Sequence, residues 1–152
     1  MRLLLDTNIV IDFLNKREPY YDAARLLMLC GKVGEFELWI ASNQITDIIY
    51  IATDGGRKDL WVAVSSQLQA LRSFVKVFAT SDKEIDRMLA SKWEDPEDVL
   101  IYEVALACNA GAIITRNQND YKRSIIKVCD ASEFFDWMRE DFDRDYAEIS
   151  FS

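Results

Sequence analysis

Short apolar runs alternate along this chain with longer segments of helical periodicity, and no other feature narrows the possible folds so far. Residues 2–6, 37–41, 74–79, 112–115 and 125–129 have the length and apolar content of buried strands. Residues 8–15 place Ile9, Val10, Phe13 and Leu14 on a helical face, and residues 19–30 do the same with Ala23, Leu26, Leu27 and Cys30. Gly31 and Gly34 bracket the end of that second helix. Further helices are predicted over 43–53, with Ser42 as cap, and over 57–73. Ser81-Asp82-Lys83-Glu84 is a capping box that starts a helix reaching about residue 93. Asp95-Pro96-Glu97-Asp98 places a cap, a proline at the first helical position and an acid at the third, and the helix it opens runs to 109. Asp130 caps a last helix through 140. A strand–helix alternation of this kind predicts a three-layer α/β/α sandwich around a parallel sheet of about five strands.

The chain has 152 residues, half of them apolar, with two prolines, five glycines and no low-complexity linker or repeat. That is enough to build one core, so a single domain is expected over 1–140. Residues 141–152 read as an acidic C-terminal tail. From Glu133 to Glu148 there are seven acids against two bases, a net of −5. No apolar run approaches the roughly 20 residues that a membrane helix needs. The apolar run at the start is three residues long and ends at Asp6, so it is not a signal sequence. A cytoplasmic location is the expectation.

The amino acids that are absent constrain the chemistry. With no histidine in the chain, Ser-His-Asp and Cys-His catalysis and histidine-bound zinc are excluded. Cys30, Cys108 and Cys129 have no metal-type spacing and read as reduced core thiols. Any bound metal has to be a hard cation held by oxygen, such as Mg²⁺ or Mn²⁺. The net charge of −8 opposes nucleic-acid binding unless metal offsets part of it.

In open α/β sheets, chemistry gathers at the carboxyl ends of strands. Asp6, Thr7 and Asn8 follow the first predicted strand; Thr115, Arg116, Asn117 and Asp120 follow the fourth. Asp47 lies about a turn into the helix after the second strand, and Asp98 in the first turn of the helix before the fourth. Four carboxylates from four segments can thus converge on one edge. Their mutual repulsion is tolerable when a divalent cation fills the cluster. Each also has a plain structural reading. Asp6 and Asp95 suit helix caps, and Asp98 suits the helix dipole. Asp47 suits the solvent edge of an apolar helix, Asp120 a surface loop, and Asp12 a solvated helix face.

Taken together, four segments resemble the PIN domain family. They are Leu3-Leu4-Leu5-Asp6-Thr7-Asn8, Ala41-Ser42-Asn43-Gln44-Ile45-Thr46-Asp47, Asp95-Pro96-Glu97-Asp98-Val99-Leu100, and Ile113-Ile114-Thr115-Arg116-Asn117-Gln118-Asn119-Asp120-Tyr121. Their order and spacing hold from residue 1 to about 130. Asp47 departs from the Glu usual in the family at that position. The resemblance implies metal-dependent hydrolysis of RNA phosphodiesters by Asp6, Asp47, Asp98 and Asp120. Asp6, Asp98 and Asp120 would hold Mg²⁺ or Mn²⁺, with Asn8, Thr115 and Asn117 supporting the carboxylates. Arg116, Lys122 and Arg123 would hold the RNA backbone. The compact chain also resembles the VapC-type toxin ribonucleases of bacterial toxin–antitoxin pairs, which implies a homodimer and a small antitoxin partner.

Readings from other classes compete with this one. A PIN-like scaffold that does not cut, favoured by the acidic balance and by Asp47 in place of Glu, predicts no metal-dependent cleavage, whatever the RNA. A receiver domain needs paired acids after its first strand and a lysine after its fifth, and here the fifth run ends at Cys129-Asp130. A haloacid-type phosphatase needs Asp-x-Asp where this chain has Asp6-Thr7-Asn8. Trp39, Trp61, Trp93 and Trp137 are scattered over different segments and read as packing residues.

Overall fold

A computed structural model describes residues 1–146. Five strands, β1 (Arg2–Leu5), β2 (Glu37–Ala41), β3 (Val75–Phe78), β4 (Ala112–Ile114) and β5 (Lys127–Cys129), form one sheet in the order β3-β2-β1-β4-β5. Every pairing is parallel. Seven α-helices are described: α1 (Thr7–Leu14), α2 (Tyr21–Lys32), α3 (Ile45–Ala52), α4 (Trp61–Leu71), α5 (Asp82–Ala90), α6 (Pro96–Ala107) and α7 (Ala131–Phe142). This is the three-layer parallel architecture that the alternation predicts.

The central strands show why both faces must be covered. Side chains alternate across a strand. Leu3 and Leu5 of β1, Leu38 and Ile40 of β2, and Ala112 and Ile114 of β4 enter the larger core, which is closed by α1, α2, α3, α4 and α7. Leu4, Ala41 and Ile113 face the other way, onto Ile101, Val104 and Ala105 of α6. The edge strands β3 and β5 are less apolar and carry the exposed Lys76 and Lys127, which guard against edge-to-edge pairing.

Several boundaries move for local reasons. Ser42 does not open a helix from 43. Residues Ser42–Gln44 form a 3-10 turn, and the Ser42 hydroxyl accepts the Thr80 N–H (2.9 Å), tying β2 to the chain after β3. A second 3-10 turn, Lys58–Leu60, replaces the start of the helix expected from 57. Gly31 lies inside α2, where it is buried, whereas Gly34 beyond the helix adopts φ +86°. The capping box at Ser81 is present, with the Ser81 N–H donating to the Glu84 carboxylate (3.0 Å), but α5 stops at Ala90. All three cysteines are free and buried.

The chain stays packed beyond residue 140. Helix α7 runs to Phe142, and Tyr146 returns to the core, edge-on to Phe36 (5.5 Å) and Phe135 (5.7 Å). The rest of the expected acidic tail, residues 147–152, lies outside the described residues. Among the described residues, no helix is long and apolar enough to cross a membrane.

Candidate active site

The strand order reverses between β1 and β4, and the crevice at their carboxyl ends is where an open α/β sheet takes a ligand. Asp6 ends β1 there. Its Oδ1 accepts the Thr7 N–H (2.7 Å), which caps α1, and its Oδ2 accepts the Thr115 hydroxyl (2.7 Å) from the end of β4. The capping role and the functional position therefore belong to the same carboxylate. The Thr115 Oγ1 in turn accepts the Asn117 N–H (3.0 Å) and the Asn8 side-chain amide (3.3 Å), and Asn8 Oδ1 accepts the Arg116 N–H (3.2 Å). Thr115 thus contacts Asp6 directly, and Asn8 and Asn117 stand behind it through Thr115.

Asp98 comes from the first turn of α6. Asp95 caps that helix, its Oδ1 accepting the N–H groups of Glu97 (2.9 Å) and Asp98 (3.3 Å). The Tyr121 hydroxyl joins the two buried acids, 3.3 Å from Asp98 Oδ1 and 3.5 Å from Asp6 Oδ2. A phenol has one proton to give, so it serves one carboxylate at a time. Gln44, 2% exposed, places α3. Its Oε1 accepts the Ala41 N–H (2.7 Å), and its Nε2 donates to the Leu5 carbonyl (2.9 Å), joining the ends of β2 and β1. Asp47 projects from α3 into the cleft so formed.

All four expected carboxylates, Asp6, Asp47, Asp98 and Asp120, line this one cleft of about 570 Å³, together with Asp95 and Glu97. Burial lifts the Asp98 carboxyl from 3.8 to about 7, with Asp95, Asp6 and Asp120 adding repulsion. Burial also raises Asp6, against the lowering hydrogen bonds from Thr115 and Thr7. Glu97 is raised by burial and by Asp47. Asp98 Oδ2 is buried and has no hydrogen-bond partner. An orphaned carboxylate oxygen of this kind, in an all-oxygen donor set, fits a hard divalent cation. Among the described residues, no three acids close into a cage on their own. Mg²⁺ does not need one, since it keeps several waters and takes one or two carboxylates.

The basic residues separate. Lys122 and Arg123 line an adjoining pocket of about 510 Å³ that shares Asp95 and Asp120 with the cleft. Arg116 does not project toward the cleft as expected. Its guanidinium forms a bidentate pair with Asp12 (2.7 and 3.0 Å) and lies over the Tyr20 ring at 4.0 Å. Asp12, expected on a solvated face, is fully buried, because the Arg116 guanidinium supplies the partner that water would otherwise be. The positions that sequence reasoning missed are Gln44, Glu97, Tyr121 and the cleft-lining Arg17. Tyr121 had one legible signal, an aromatic directly after Asp120; Gln44 and Arg17 had none.

Comparison with known proteins identifies the family and the fold. A family model described as PIN domain matches residues 2–119. Among solved structures, a chain of VapBC2 from Rickettsia felis, determined bound to a DNA fragment from their promoter, is similar with a TM-score of 0.62. The match has 22% identity and covers 86% of this chain and 98% of that one, which shows a shared fold. No curated protein matches.

Proposed function

This chain belongs to the PIN domain family, and from that premise we propose that it is a divalent-metal-dependent endoribonuclease, a hydrolase of RNA phosphodiester bonds. The observation that carries the reading is the convergence of Asp6, Asp47, Asp98 and Asp120 on one cleft at the β1/β4 switch point, with a buried, unpartnered oxygen on Asp98. Asp6 and Asp98 would hold Mg²⁺ or Mn²⁺, with Asp120 helping to hold a second ion or orienting the water. When bound, such a cation lowers the pKa of water and offsets charge on the reacting phosphate.

The chain's own residues supply the rest. Thr115 and the Thr7 N–H hold both oxygens of Asp6. The Tyr121 hydroxyl holds Asp98 beside it. Asp47, beside Glu97, and Asp120 are both exposed and would orient water at the mouth of the cleft. Lys122 and Arg123 in the adjoining pocket, with Arg17 on the cleft wall, are the cations placed to meet a polyanionic backbone. Hydrolysis would leave a 5′-phosphate and a 3′-hydroxyl.

The role we propose is the toxin of a toxin–antitoxin pair. Support comes from the likeness to VapBC2 and from an apolar groove of about 380 Å³ lined by Phe13, Leu14, Met28, Leu71 and Phe74, suited to an amphipathic segment of a small antitoxin. The exposed Tyr50, Ile51, Trp61 and Val62 on α3 and α4 support a homodimer.

The deciding experiment is Mn²⁺ titration calorimetry on the wild type and on Asp6→Asn/Asp98→Asn, with circular dichroism to confirm folding. Binding by the wild type alone, followed by metal-dependent cleavage of RNA that the double variant lacks, is the expected result. Two folded proteins that both ignore millimolar Mn²⁺ would instead favour a PIN-like scaffold that does not cut.

A further inference from the structure

We infer that the buried Asp12–Arg116 ion pair is a positioning device for Asp6, acting through the turn after β4; the inference rests on the reading of the cleft as a metal site. Asp12 is fully buried on α1, and Arg116 meets it with two parallel hydrogen bonds while its other face covers Tyr20. The guanidinium is thereby committed. Recruiting it to a nucleic-acid strand would strand Asp12 as an unpaired buried charge, one of the costlier changes a core can undergo.

The pair acts at a distance through a continuous chain of contacts. Strand β4 is only three residues long, and its last ladder bond is the Thr115 N–H to the Cys129 carbonyl (2.9 Å). Beyond it the chain leaves the sheet, and the Arg116–Asp12 pair pins it to α1. With the turn pinned, the Arg116 N–H reaches Asn8 Oδ1, the Asn8 amide reaches Thr115 Oγ1, and the Asn117 N–H reaches the same oxygen. Two donors on Thr115 Oγ1 leave its proton pointing to Asp6 Oδ2 at 2.7 Å. While the Thr7 N–H holds Asp6 Oδ1, the hold on Oδ2 through Thr115 thus runs back to Asp12 and Arg116, neither of which lines the cleft.

Hydrogen-bonded partners behind a metal ligand typically matter by 10- to 100-fold in affinity. The test titrates Mn²⁺ into wild type, Asp12→Asn, Arg116→Gln and the double variant, each checked by circular dichroism. About a tenfold rise in the Mn²⁺ Kd is expected for either single variant, with little further loss in the double, because both break one link. On RNA, kcat should fall while KM stays within about twofold. Asn8→Ala cuts the chain of contacts without exposing a buried charge, and it should reproduce the weakened binding even if a core variant does not fold. Variants that lose thermal stability yet keep the wild-type Mn²⁺ Kd would overturn the inference. So would an Arg116→Gln effect confined to KM and its salt dependence, the signature of a backbone contact. A wild type that takes up no Mn²⁺ would sink the metal reading and this inference together; unchanged binding in the variants would sink this inference alone.

Discussion

At the scale of single residues, the site is defined by carboxylates held where they are least comfortable. Asp98 shows the consequence for stability. Its unfolded carboxyl titrates near 3.8 and its folded one near 7, so the folded state binds the proton more tightly. That contribution is fully present below about pH 4 and is lost as pH rises through 7. The metal-free wild type should therefore lose stability progressively from about pH 4 to about pH 7 and level off above that, and Asp98→Asn should flatten that part of the profile. A shift of that size would correspond to about 4 kcal/mol at roughly 1.4 kcal/mol per pH unit, but water in the cleft screens it. A gain of about 1–2 kcal/mol for Asp98→Asn at pH 8, read by urea unfolding, is the expected outcome, together with weakened Mn²⁺ binding. A variant less stable than wild type at pH 8 would mean that the Asp98 charge is already compensated. Asp6 and Asp98 were legible as candidates because Asp6 closes an apolar run and Asp98 opens an apolar helix, each with a carboxylate. The fates of Asp12 and Arg116 were not, since 104 residues separate two groups that meet only when α1 packs beside β4.

At the scale of elements, helix starts were easier to read than helix interiors. A cap is a local contract between a side chain and N–H groups two or three residues on; Asp95 and Asp130 honour it, and at Ser81 the reciprocal half is made, its N–H donating to the Glu84 carboxylate. Gly31 is the opposite case. In a strand–helix alternation a glycine near a helix end reads as a stop, yet α2 passes through it. A β-carbon on Gly31 would come within 2.4 Å of Leu38 Cδ1 and 2.7 Å of Leu38 Cγ. The glycine is there to let α2 lie close on β2. Gly→Ala inside a helix ordinarily gains about 1 kcal/mol. Here overpacking against a fully buried leucine should reverse the sign, and Gly31→Ala is expected to destabilise the protein by about 1–3 kcal/mol. A higher thermal midpoint for Gly31→Ala would show that Leu38 can move aside and would refute the close-packing account. Restoration by Gly31→Ala/Leu38→Ala would support it.

At the scale of the whole molecule, a net charge of −8 and a cleft lined by six carboxylates make the fold a poor partner for RNA until cations bind. Metal binding should consequently register as global stability. With Mn²⁺ at about 100 times its Kd, linkage contributes about 2.7 kcal/mol, which for a domain of this size raises Tm by roughly 5–10 °C. The rise should be larger at pH 8 than at pH 5.5, where protons compete for Asp98, and it should vanish in Asp6→Asn/Asp98→Asn. Differential scanning calorimetry with and without chelator measures it directly. The C-terminal segment is a second global matter. Tyr146 packs on Phe36 and Phe135, and its hydroxyl meets Glu35 Oε2 at 3.3 Å, so Tyr146→Ala should cost about 2–4 kcal/mol, as emptying a buried aromatic site does. A midpoint unchanged from wild type would mean that the segment only rests on the domain. By itself the sequence determined the alternation of strands and helices, the caps, the exclusion of histidine chemistry and the four carboxylates at strand and helix ends, because periodicity, capping and composition act over a few residues. Only the tertiary structure decided that Tyr121 stands between Asp6 and Asp98, that Gln44 braces β1 to β2, that Arg116 turns away to Asp12, and that Tyr146 belongs to the core. Those outcomes depend on which distant surfaces the sheet order brings within hydrogen-bond reach, and no local pattern encodes that.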